Sequence, residues 1–408
     1  MNVEILGRKV GVVGLGYVGL PLALAALKAN LEVHGFDISK ARIDSLTLGV
    51  SPIDDVLDSQ ILEAADSGRF HLSTQFDGLA ECDLVIICVP TPLDGQGLPD
   101  LSSLILACKN LARVMKSGSL LINESTSYPG TLRNIIAPIF NEGEGDKKIQ
   151  FAVAPERVDP GNKLWNFKNT PRVIGALSTE ALNRAQAFYS KFCEILIPVS
   201  SAEVAELSKL VENSYRLVNI AFINEMASLS SRIGVNIHEV LDAAETKPYG
   251  FSRFNPGLGV GGHCIPVDPM YLAWFASNSG QRLESIELSA RLNKKRVLSV
   301  AERILVEIVE DDSVLVWGLS YKKGIADLRE SPSIRLIEHL RKESISVTWF
   351  DSKIQIWNGE ERESKIRGGV LIIVHDTDID LLSEAIKEAR VVFDLTGRYQ
   401  DNEKLIKL

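Results

Sequence analysis

Short apolar runs rich in β-branched residues alternate with helical patterns through the first half of the chain. Lys9–Val13 and Glu32–Phe36 have the pattern of strands, and an Ala- and Leu-rich stretch at residues 20–29 predicts a helix between them. Further apolar runs predict strands at residues 84–89, 119–123, 150–153, 172–174 and 195–199, with helical stretches such as residues 101–115 between several of them. Alternation of apolar strands with helices is typical of a parallel sheet covered on both faces.

The pattern changes after residue 201. Residues 202–233 carry apolar positions at helical spacing without Gly or Pro, which predicts one helix roughly 48 Å long. Such a helix is too long for one small domain, so we expect it to link two. Residues 247–269 contain five glycines and several prolines between helical stretches. An ordered loop of this composition and length is usually functional.

Strand and helix patterns alternate again from residue 313. Apolar runs at residues 313–317, 346–350, 370–374 and 391–395, with a helical pattern at residues 333–341, predict a second, smaller parallel sheet. We therefore predict an α/β chain with three parts, an α/β domain at residues 1–200, a helical domain at residues 201–310 and a second α/β domain at residues 311–408.

Composition and charge narrow the classes of function. The chain is 45% hydrophobic and 24% charged, as in ordinary globular proteins, and its net charge of −9 makes nucleic acid and membrane surfaces poor partners. Five cysteines without a C-x-x-C pair argue against a disulfide framework and for a reducing compartment. No apolar run reaches the roughly 18 residues that span a bilayer, and the N-terminus lacks a signal-peptide pattern, so we expect a cytoplasmic protein.

A glycine-rich motif follows the first predicted strand. Residues 14–19, GLGYVG, fit G-x-G-x-x-G, in which Gly14 permits a tight turn, Gly16 lets backbone approach a pyrophosphate and Gly19 packs helix against strand. Asp37 ends the next strand, 18 residues after Gly19, and would accept hydrogen bonds from ribose hydroxyls. These features predict a Rossmann-type domain that prefers NAD to NADP, a preference that the nearby Arg42 and a lysine at position 40 would soften.

Cys264 is the candidate nucleophile. Glycines and a proline flank it in the loop, and Asp268 follows four residues later, whereas the other four cysteines lie in apolar patterns typical of packing. The adjacent His263 is awkwardly placed to share a tetrahedral ion with Cys264, so we expect no metal site. On the long helix, Lys209 and Asn213 share a face, although a solvated surface is the ordinary interpretation of a helical lysine.

Seven motifs occur in the order seen in nucleotide-sugar 6-dehydrogenases: GVVGLGYVGLPLA, VPTPLD, EST, APER, ELSKLVENSYR, NPGLGVGGHCIPVDP and DLRESPS. On these motifs the chain resembles the UDP-glucose/GDP-mannose dehydrogenase family over nearly its whole length. The resemblance implies an NAD-dependent four-electron oxidation of a sugar C6 alcohol to a carboxylate, within polysaccharide biosynthesis. It implies NAD binding by residues 1–200, dimerisation and the catalytic loop in residues 201–310, and UDP-sugar binding by residues 311–408.

The resemblance also implies roles for individual residues. Cys264 corresponds to the nucleophile that adds to the C6 aldehyde, and Lys209 and Asn213 to groups that stabilise the oxyanion. Asp268, Glu156 and Thr126 correspond to the groups that handle protons and water. The cofactor-binding set is Gly14, Gly16, Tyr17, Val18, Gly19, Asp37, Arg42, Pro90, Thr91, Thr126 and Arg329. The substrate-binding set is Glu156, Arg157, Lys209, Asn213, Asn255, Gly259, Gly261, Tyr321 and Lys322.

Departures from the UDP-glucose pattern point to one branch of the family. Val267 stands where UDP-glucose members have a lysine, His263 stands where they have a small residue, and APER replaces a PEF-type segment. The forms GGHC, PERVDPGN and ESTSYPGT are similar to UDP-N-acetylhexosamine dehydrogenases. Within that branch, the PERxDPGN and YPG forms are similar to UDP-N-acetylglucosamine 6-dehydrogenases. UDP-N-acetylmannosamine is the close alternative, and UDP-glucose is a more distant one.

Two readings from other classes stay open at the level of sequence. A non-catalytic NAD-binding protein would keep the fold, although Cys264, Lys209, Asn213 and Asp268 are all present together. A two-electron 3-hydroxyacid dehydrogenase would share the glycine motif and a helical domain, but it needs neither a nucleophilic cysteine nor a third domain. The long helix and the apolar stretch at residues 215–223 predict a homodimer.

Overall fold

The structure, a computed structural model, describes residues 9–141, 147–159, 161–162, 164–310, 312–366, 368–399 and 403–407. The chain forms two compact units that divide between Glu212 and Asn213. Each unit has its own sheet, and the unit boundary falls within one long helix.

The described residues of the first unit contain a sheet of eight strands in the order β3-β2-β1-β4-β5-β6-β7-β8. The strands are β1 (Lys9–Val13), β2 (Glu32–Phe36), β3 (Phe70–Ser73), β4 (Leu84–Ile87), β5 (Leu120–Asn123), β6 (Gln150–Val153), β7 (Arg172–Ala176) and β8 (Leu196–Pro198). β1 and β4 are buried almost throughout, as their continuous apolar runs predict.

Two neighbouring strands, β7 and β8, depart from the predicted parallel arrangement. β7 runs antiparallel to β6, whereas β8 is parallel to β7. A parallel neighbour requires a crossover connection, usually a helix, but residues 154–171 between β6 and β7 form no regular helix among those described. The chain therefore returns to the sheet in the opposite direction.

Helices cover this sheet and pack on it through apolar side chains. They are α1 (Gly19–Lys28), α2 (Lys40–Thr47), α3 (Asp58–Asp66), α4 (Ser102–Val114), α5 (Ala137–Asn141) and α6 (Thr179–Tyr189), with a 3₁₀ turn at Phe76–Leu79 and a π-helical turn at Leu132–Ile136. The core packs Val10, Val12 and Ile86 of the sheet against Leu20 and Leu24 of α1. The long helix α7 (Ala202–Arg232) follows, with 31 residues and a length of about 46 Å.

The second unit contains a five-stranded parallel sheet, in the order β10-β9-β13-β14-β15. Its strands are β9 (Ser313–Trp317), β10 (Ser346–Phe350), β13 (Val370–Ile373), β14 (Val391–Asp394) and β15 (Leu405–Lys407), and a small antiparallel pair is formed by β11 (Ile356–Trp357) and β12 (Glu360–Glu361). Its helices are α8 (Ile237–Glu245), α9 (Asp268–Asn278), α10 (Glu284–Glu307), α11 (Pro332–Lys342) and α12 (Ile379–Glu388).

The predicted fold class is confirmed, since a mostly parallel N-terminal sheet, a long helix and a second parallel sheet follow one another along the chain. The strands β3 and β15 and the pair β11–β12 were not predicted, because these segments are short and only partly apolar. Among the helices that the structure describes, none combines the length and apolar character needed to cross a bilayer.

Candidate active site

The carboxyl ends of five parallel strands lie side by side at one edge of the first sheet. The register pairs Val13 with Phe36 and Ile87, and it pairs Asn123 with Ile87 and Val153. The segments that follow these ends therefore emerge at one edge, namely residues 14–19, 37–42, 88–91, 124–126 and 154–157. β1 and β4 form the topological switch point at which α/β sheets bind nucleotides.

Packing requires glycine at two of the three motif positions in the loop at this edge. Gly14 has a φ of +94°, and its N–H donates to the Phe36 carbonyl at 2.8 Å. A Cβ at Gly14 would lie 2.5 Å from the Cys88 carbonyl oxygen, and one at Gly19 would lie 1.8 Å from the Gly14 carbonyl oxygen. At Gly16 no described atom lies within 4 Å of an added Cβ. The open side at Gly16 fits the approach of a pyrophosphate to the start of α1.

The other predicted cofactor residues of this edge differ in exposure. Val18 immediately precedes α1, and Tyr17 packs half-buried against the core of the first unit. Thr91 is buried and Pro90 is exposed in the segment after β4, while Thr126 is half-buried after β5. All five lie in loops at the carboxyl edge of the sheet.

Asp37 is held by three donors. Its Oδ2 accepts from the Leu15 N–H at 2.9 Å and from Arg42 Nη1 at 2.8 Å, and its Oδ1 accepts from the Ser39 N–H at 2.9 Å. Only 3% of the Asp37 surface is exposed. Its carboxylate holds the glycine loop through the Leu15 N–H and forms an ion pair with Arg42. Arg42 is therefore a partner of Asp37 in this structure, which keeps it from offering an unpaired charge to a 2′-phosphate.

A buried ionic cluster lies beneath the same edge. Arg172 donates from Nη1 to Glu124 at 2.8 Å and from Nη2 to Glu156 at 2.7 Å, and the Tyr189 hydroxyl donates to Glu124. The guanidinium carbon lies 4.6 Å from the Phe167 ring centroid and 4.8 Å from that of Tyr189. Arg172 and Tyr189 were not predicted as site residues, and nothing in their local sequence distinguishes them from ordinary strand and helix residues.

Within this cluster the pKa values of Glu124 and Glu156 shift in opposite directions. Burial raises the pKa of Glu124 to about 7 against the opposing pull of Arg172. For Glu156 burial also acts to raise the pKa, but Arg172 and the backbone donor at Val158 outweigh it and lower the pKa below its usual value. Glu156 Oε1 accepts from the N–H groups of Arg157 and Val158, each at 2.7 Å. Glu156 is therefore a carboxylate with hydrogen bonds at both oxygens.

Arg157 and Lys209, two predicted basic residues of the first unit, each interact with an acidic side chain. Arg157 donates to Glu212 at 3.0 Å and to the Pro171 carbonyl at 2.8 Å. Lys209 on α7 is only 9% exposed and, after Arg172, contributes to lowering the pKa of Glu156 against the effect of burial. The long helix thus brings the ammonium of Lys209 within electrostatic reach of Glu156.

In the second unit, a tight turn leads from Cys264 into α9. All five cysteines are described, and of these Cys264 is the exposed one. Its carbonyl accepts from the N–H groups of Val267 at 3.2 Å and Asp268 at 2.8 Å. Asp268 begins α9, is fully buried, and accepts from Asn213 Nδ2 at 2.6 Å. The three predicted catalytic residues of this unit are therefore connected through one turn and one hydrogen bond.

Two glycines of the same loop pack against residues that follow β9. A Cβ at Gly261 would lie 2.7 Å from Tyr321 Cβ and 2.9 Å from Pro332 Cδ. A Cβ at Gly262 would lie 2.7 Å from the Tyr321 ring, and the Gly262 N–H donates to the Arg329 carbonyl at 2.9 Å. The absence of side chains at both positions lets the cysteine loop contact the Tyr321 segment directly.

Arg329 lies within electrostatic reach of Cys264. Hydrogen bonds to Asp327 raise the pKa of Arg329, and Cys264 and Tyr321 act in the same direction. Arg329 Nη2 donates to Asp327 at 2.6 Å, and the Tyr321 N–H donates to the Asp327 carbonyl at 3.0 Å. Lys322 follows Tyr321 and is half-buried. The structure thus brings Cys264 together with residues predicted for cofactor and substrate.

The loop before Cys264 is anchored by residues that the sequence did not single out. The Gly257 N–H donates to Asn224 Oδ1 at 2.9 Å, and Arg296 Nε donates to the Gly257 carbonyl at 3.1 Å. Burial lowers the pKa of Arg296 to about 10. The available signal was helical spacing, because Arg296 falls on the apolar face of α10 beside Val297 and Val300.

The two remaining predicted substrate residues, Asn255 and Gly259, lie on either side of Gly257 in this loop. Asn255 is exposed and accepts from Arg253 Nε at 3.1 Å. Gly259 has a φ of +134°, and a Cβ there would lie 3.1 Å from the Asn293 carbonyl oxygen. Backbone conformation and packing therefore both require glycine at position 259.

Three family models match successive parts of the chain. They describe the UDP-glucose/GDP-mannose dehydrogenase family, with its NAD binding domain at residues 8–193, its central domain at residues 203–295 and its UDP binding domain at residues 315–400. The matches follow the same order as the sequence motifs.

Individual relatives are similar over nearly the full length. A UDP-N-acetyl-D-glucosamine 6-dehydrogenase of Pseudomonas aeruginosa is 35% identical, with coverage of 98% of this chain and 99% of that protein. A UDP-N-acetyl-D-mannosamine dehydrogenase of Pyrococcus horikoshii is 34% identical, with coverage of 90% and 88%. The solved structure of a UDP-D-ManNAc dehydrogenase from Pyrococcus horikoshii has a TM-score of 0.87 at 32% identity and covers 98% of each chain.

Proposed function

Because this chain belongs to the UDP-glucose/GDP-mannose dehydrogenase family, we propose that it oxidises the C6 alcohol of UDP-N-acetylglucosamine to a carboxylate with two molecules of NAD. The chain is an oxidoreductase, an NAD-dependent nucleotide-sugar 6-dehydrogenase acting on a UDP-N-acetylhexosamine. The family and the cofactor predicted from the sequence are confirmed at this level.

The observation that carries the proposal is the placement of Cys264. It is exposed, it lies in a loop that packs on Tyr321 and Arg329, and its turn leads into the buried Asp268. A cysteine used only for packing would be buried, as Cys82 is. An exposed thiol within electrostatic reach of a cation, here Arg329, favours the reactive thiolate form of Cys264.

The chemistry assigned to the chain's residues follows from this placement. When bound, NAD accepts a hydride from C6 at each of the two oxidation steps. The Cys264 thiolate adds to the C6 aldehyde formed by the first step, and the resulting thiohemiacetal becomes a thioester in the second. Water then releases the carboxylate and regenerates the thiol.

We assign the remaining predicted catalytic residues to stabilising charge, transferring protons and positioning water. Lys209 and Asn213 stabilise the oxyanion formed when sulfur adds to the aldehyde. Asp268 takes up or returns the protons, with its orientation fixed by Asn213, and Thr126 positions water. Glu156, with both oxygens hydrogen-bonded, acts by holding a negative charge in place.

The choice of sugar rests on the sequence forms. PERVDPGN and ESTSYPGT favour N-acetylglucosamine over its C2 epimer, although Pro160 within the first form lies outside the described residues. The relatives named for the two epimers are 35% and 34% identical, so overall similarity does not favour either one. UDP-N-acetylmannosamine is the second candidate on this ground.

The test measures NADH released from UDP-N-acetylglucosamine, UDP-N-acetylmannosamine and UDP-glucose under identical conditions. We expect two NADH per UDP-N-acetylglucosamine consumed and the highest kcat/KM for that sugar. Cys264→Ala should produce no uronic acid while still binding the UDP-sugar. One NADH per sugar with accumulating aldehyde, or normal acid production by Cys264→Ala, would refute the covalent route. A preference for UDP-N-acetylmannosamine would correct the sugar alone.

The assembly is proposed to be a homodimer formed through α7. Tyr215, Phe222 and Leu229 recur every seven residues and are each about half exposed, at 51%, 53% and 51%. Tyr215 and Phe222 also line a cavity of 390 Å³ together with Gly250, Phe251 and Phe254. Apolar side chains exposed in one row favour a partner helix. We expect Phe222→Glu to halve the molar mass measured by light scattering.

We further propose the three-part division of roles expected from the sequence, with residues 1–200 binding NAD, 201–310 carrying the dimer contact and catalytic loop, and 311–408 binding the UDP-sugar. The proposed setting is polysaccharide biosynthesis in the cytoplasm, where free thiols such as Cys264 stay reduced.

A further inference from the structure

Three side chains that commonly bind metal ions meet on the outer strands of the first sheet. Glu32 and His34 lie on β2 and share one face of the strand, because side chains two residues apart point the same way. His71 lies on β3, where the parallel register places it directly beside His34. Their ligand atoms all lie within 4.8 Å of one another.

The distances within this cluster suit a tetrahedral ion. His34 Nε2 lies 3.1 Å from Glu32 Oε1, and His71 Nε2 lies 3.4 Å from the same oxygen. Zinc binds imidazole nitrogen and carboxylate oxygen at about 2.0–2.2 Å, so two of its tetrahedral ligands stand about 3.3 Å apart. The two observed separations bracket that value. The third separation, between the ligand nitrogens of the two imidazoles, is no more than 4.8 Å.

Although the sequence led us to expect no metal site, we propose that Glu32, His34 and His71 form a zinc site, with water in the fourth position. Ligand exposure supports access, since the side chain of His71 is 49% exposed while those of Glu32 and His34 are 31% and 16% exposed. The rigid part of the site lies on β2, and the accessible ligand is on β3.

The site has a structural consequence for the first unit. β3 is four residues long and forms the edge of the sheet, so it is hydrogen-bonded to β2 on one side only. A metal shared by His34 and His71 would tie this edge strand to β2, the strand that Asp37 follows. Zinc should therefore stabilise the folded state by mass action, because the unfolded chain does not hold the three ligands together.

One neighbouring cation opposes metal binding. Lys9 Nζ lies 3.9 Å from Glu32 Oε1, and it also pairs with Glu81. The repulsion between an ammonium and a divalent ion weakens affinity, while Glu81 provides an alternative partner for Lys9. Replacing Lys9 by Gln should therefore tighten zinc binding.

The test is a calorimetric titration of the full-length protein with zinc chloride. It is carried out in a Cys264→Ser background, because an exposed thiol would bind zinc by itself. We expect one zinc per chain, an affinity at least about tenfold lower in His71→Ala, and an unchanged affinity in His339→Ala, whose histidine lies on α11 of the second unit.

A second measurement keeps the result independent of folding defects. Zinc should raise the unfolding temperature of the Cys264→Ser protein and of His339→Ala, but not that of His71→Ala or Glu32→Gln, while the zinc-free unfolding temperatures of the variants stay close together. Lys9→Gln should show the largest rise. Equal zinc affinity in His71→Ala and in its parent, or equal temperature shifts in all variants, would mean adventitious binding only and would overturn the proposal.

Discussion

The guanidinium of Arg172 donates to Glu156 at 2.7 Å inside the first unit, and both side chains are more than nine-tenths buried. The same guanidinium donates to Glu124 at 2.8 Å. One cation therefore serves two carboxyl groups. Their pKa values move in opposite directions because burial outweighs Arg172 at Glu124, whereas at Glu156 the Val158 backbone donor and Lys209 act with Arg172 against burial.

Removing this cation should be costly. Arg172→Met leaves two buried carboxyl groups without their partner, and we expect the free energy of unfolding to fall by about 3–5 kcal/mol. The free energy of unfolding of Arg172→Lys should lie between those of the wild type and Arg172→Met, because an ammonium cannot bridge two carboxylates as a planar guanidinium does. The measurement is urea unfolding followed by circular dichroism. Arg113→Met, at an exposed position near the end of α4, is the control and should change stability by less than about 0.5 kcal/mol. A loss in Arg172→Met no larger than in this control would contradict the role given to the cluster.

Stability should depend on pH through Glu124. Its pKa is raised to about 7 in the folded chain, mainly by burial, from an ordinary value of 4.5. The folded state then binds the proton more tightly than the unfolded state, so its contribution is full below about pH 4.5 and is lost as the pH rises through 7. The shift corresponds to about 3 kcal/mol.

The check on this dependence is unfolding free energy measured between pH 4.5 and 7.5 for the wild type and Glu124→Gln. We expect a smaller decline in the variant, which has no proton to lose at this position. Glu206, whose pKa burial likewise raises to about 7, is unchanged in both proteins and supplies the decline that persists. Parallel curves for the two proteins would show that Glu124 titrates normally.

Two glycines of the cysteine loop should respond differently to the same substitution. Gly261→Ala places a Cβ 2.7 Å from Tyr321 Cβ, and we expect a loss of about 1–3 kcal/mol in stability and a large loss of activity as Cys264 is displaced. At Gly257 no described atom lies within 4 Å of an added Cβ, and its φ is negative. Gly257→Ala should therefore leave NADH production near wild type and change stability by no more than about 1 kcal/mol. Equal activity of the two variants would show that the contact with Tyr321 does not position the cysteine.

Cofactor preference should depend on Asp37 and Arg42 as a pair. Asp37→Ser removes the carboxylate that would repel a 2′-phosphate and releases the guanidinium that it binds at 2.8 Å. We expect the ratio of kcat/KM for NADP to that for NAD to rise by about tenfold or more, since a charge-assisted hydrogen bond contributes about 1.5–3 kcal/mol. Asp37→Ser combined with Arg42→Ala should lose most of this gain. If the double variant uses NADP as well as the single one does, Arg42 has no part in the change.

Local sequence determined much of the fold and part of the site. Short apolar runs identified β1, β2, β9 and β10 with the bounds that the structure has. Burial on both faces leaves β1 and β9 almost continuously apolar, whereas β2 and β10 alternate buried with more exposed positions. The turn at Gly14 and the loop around Cys264 were also predictable, since glycine at fixed spacing reports where backbone must turn or approach another group.

Tertiary structure alone decided which distant side chains meet. Arg172 lies between Glu124 and Glu156, and His71 lies beside His34, through strand pairing and packing that join residues 16 to 48 positions apart. Neither a buried arginine nor a strand histidine has a local pattern that names its partner, because register and sheet order set that contact. The sequence by itself therefore determined the elements and the glycine turns, whereas only the folded chain determined the ionic cluster and the histidine pair.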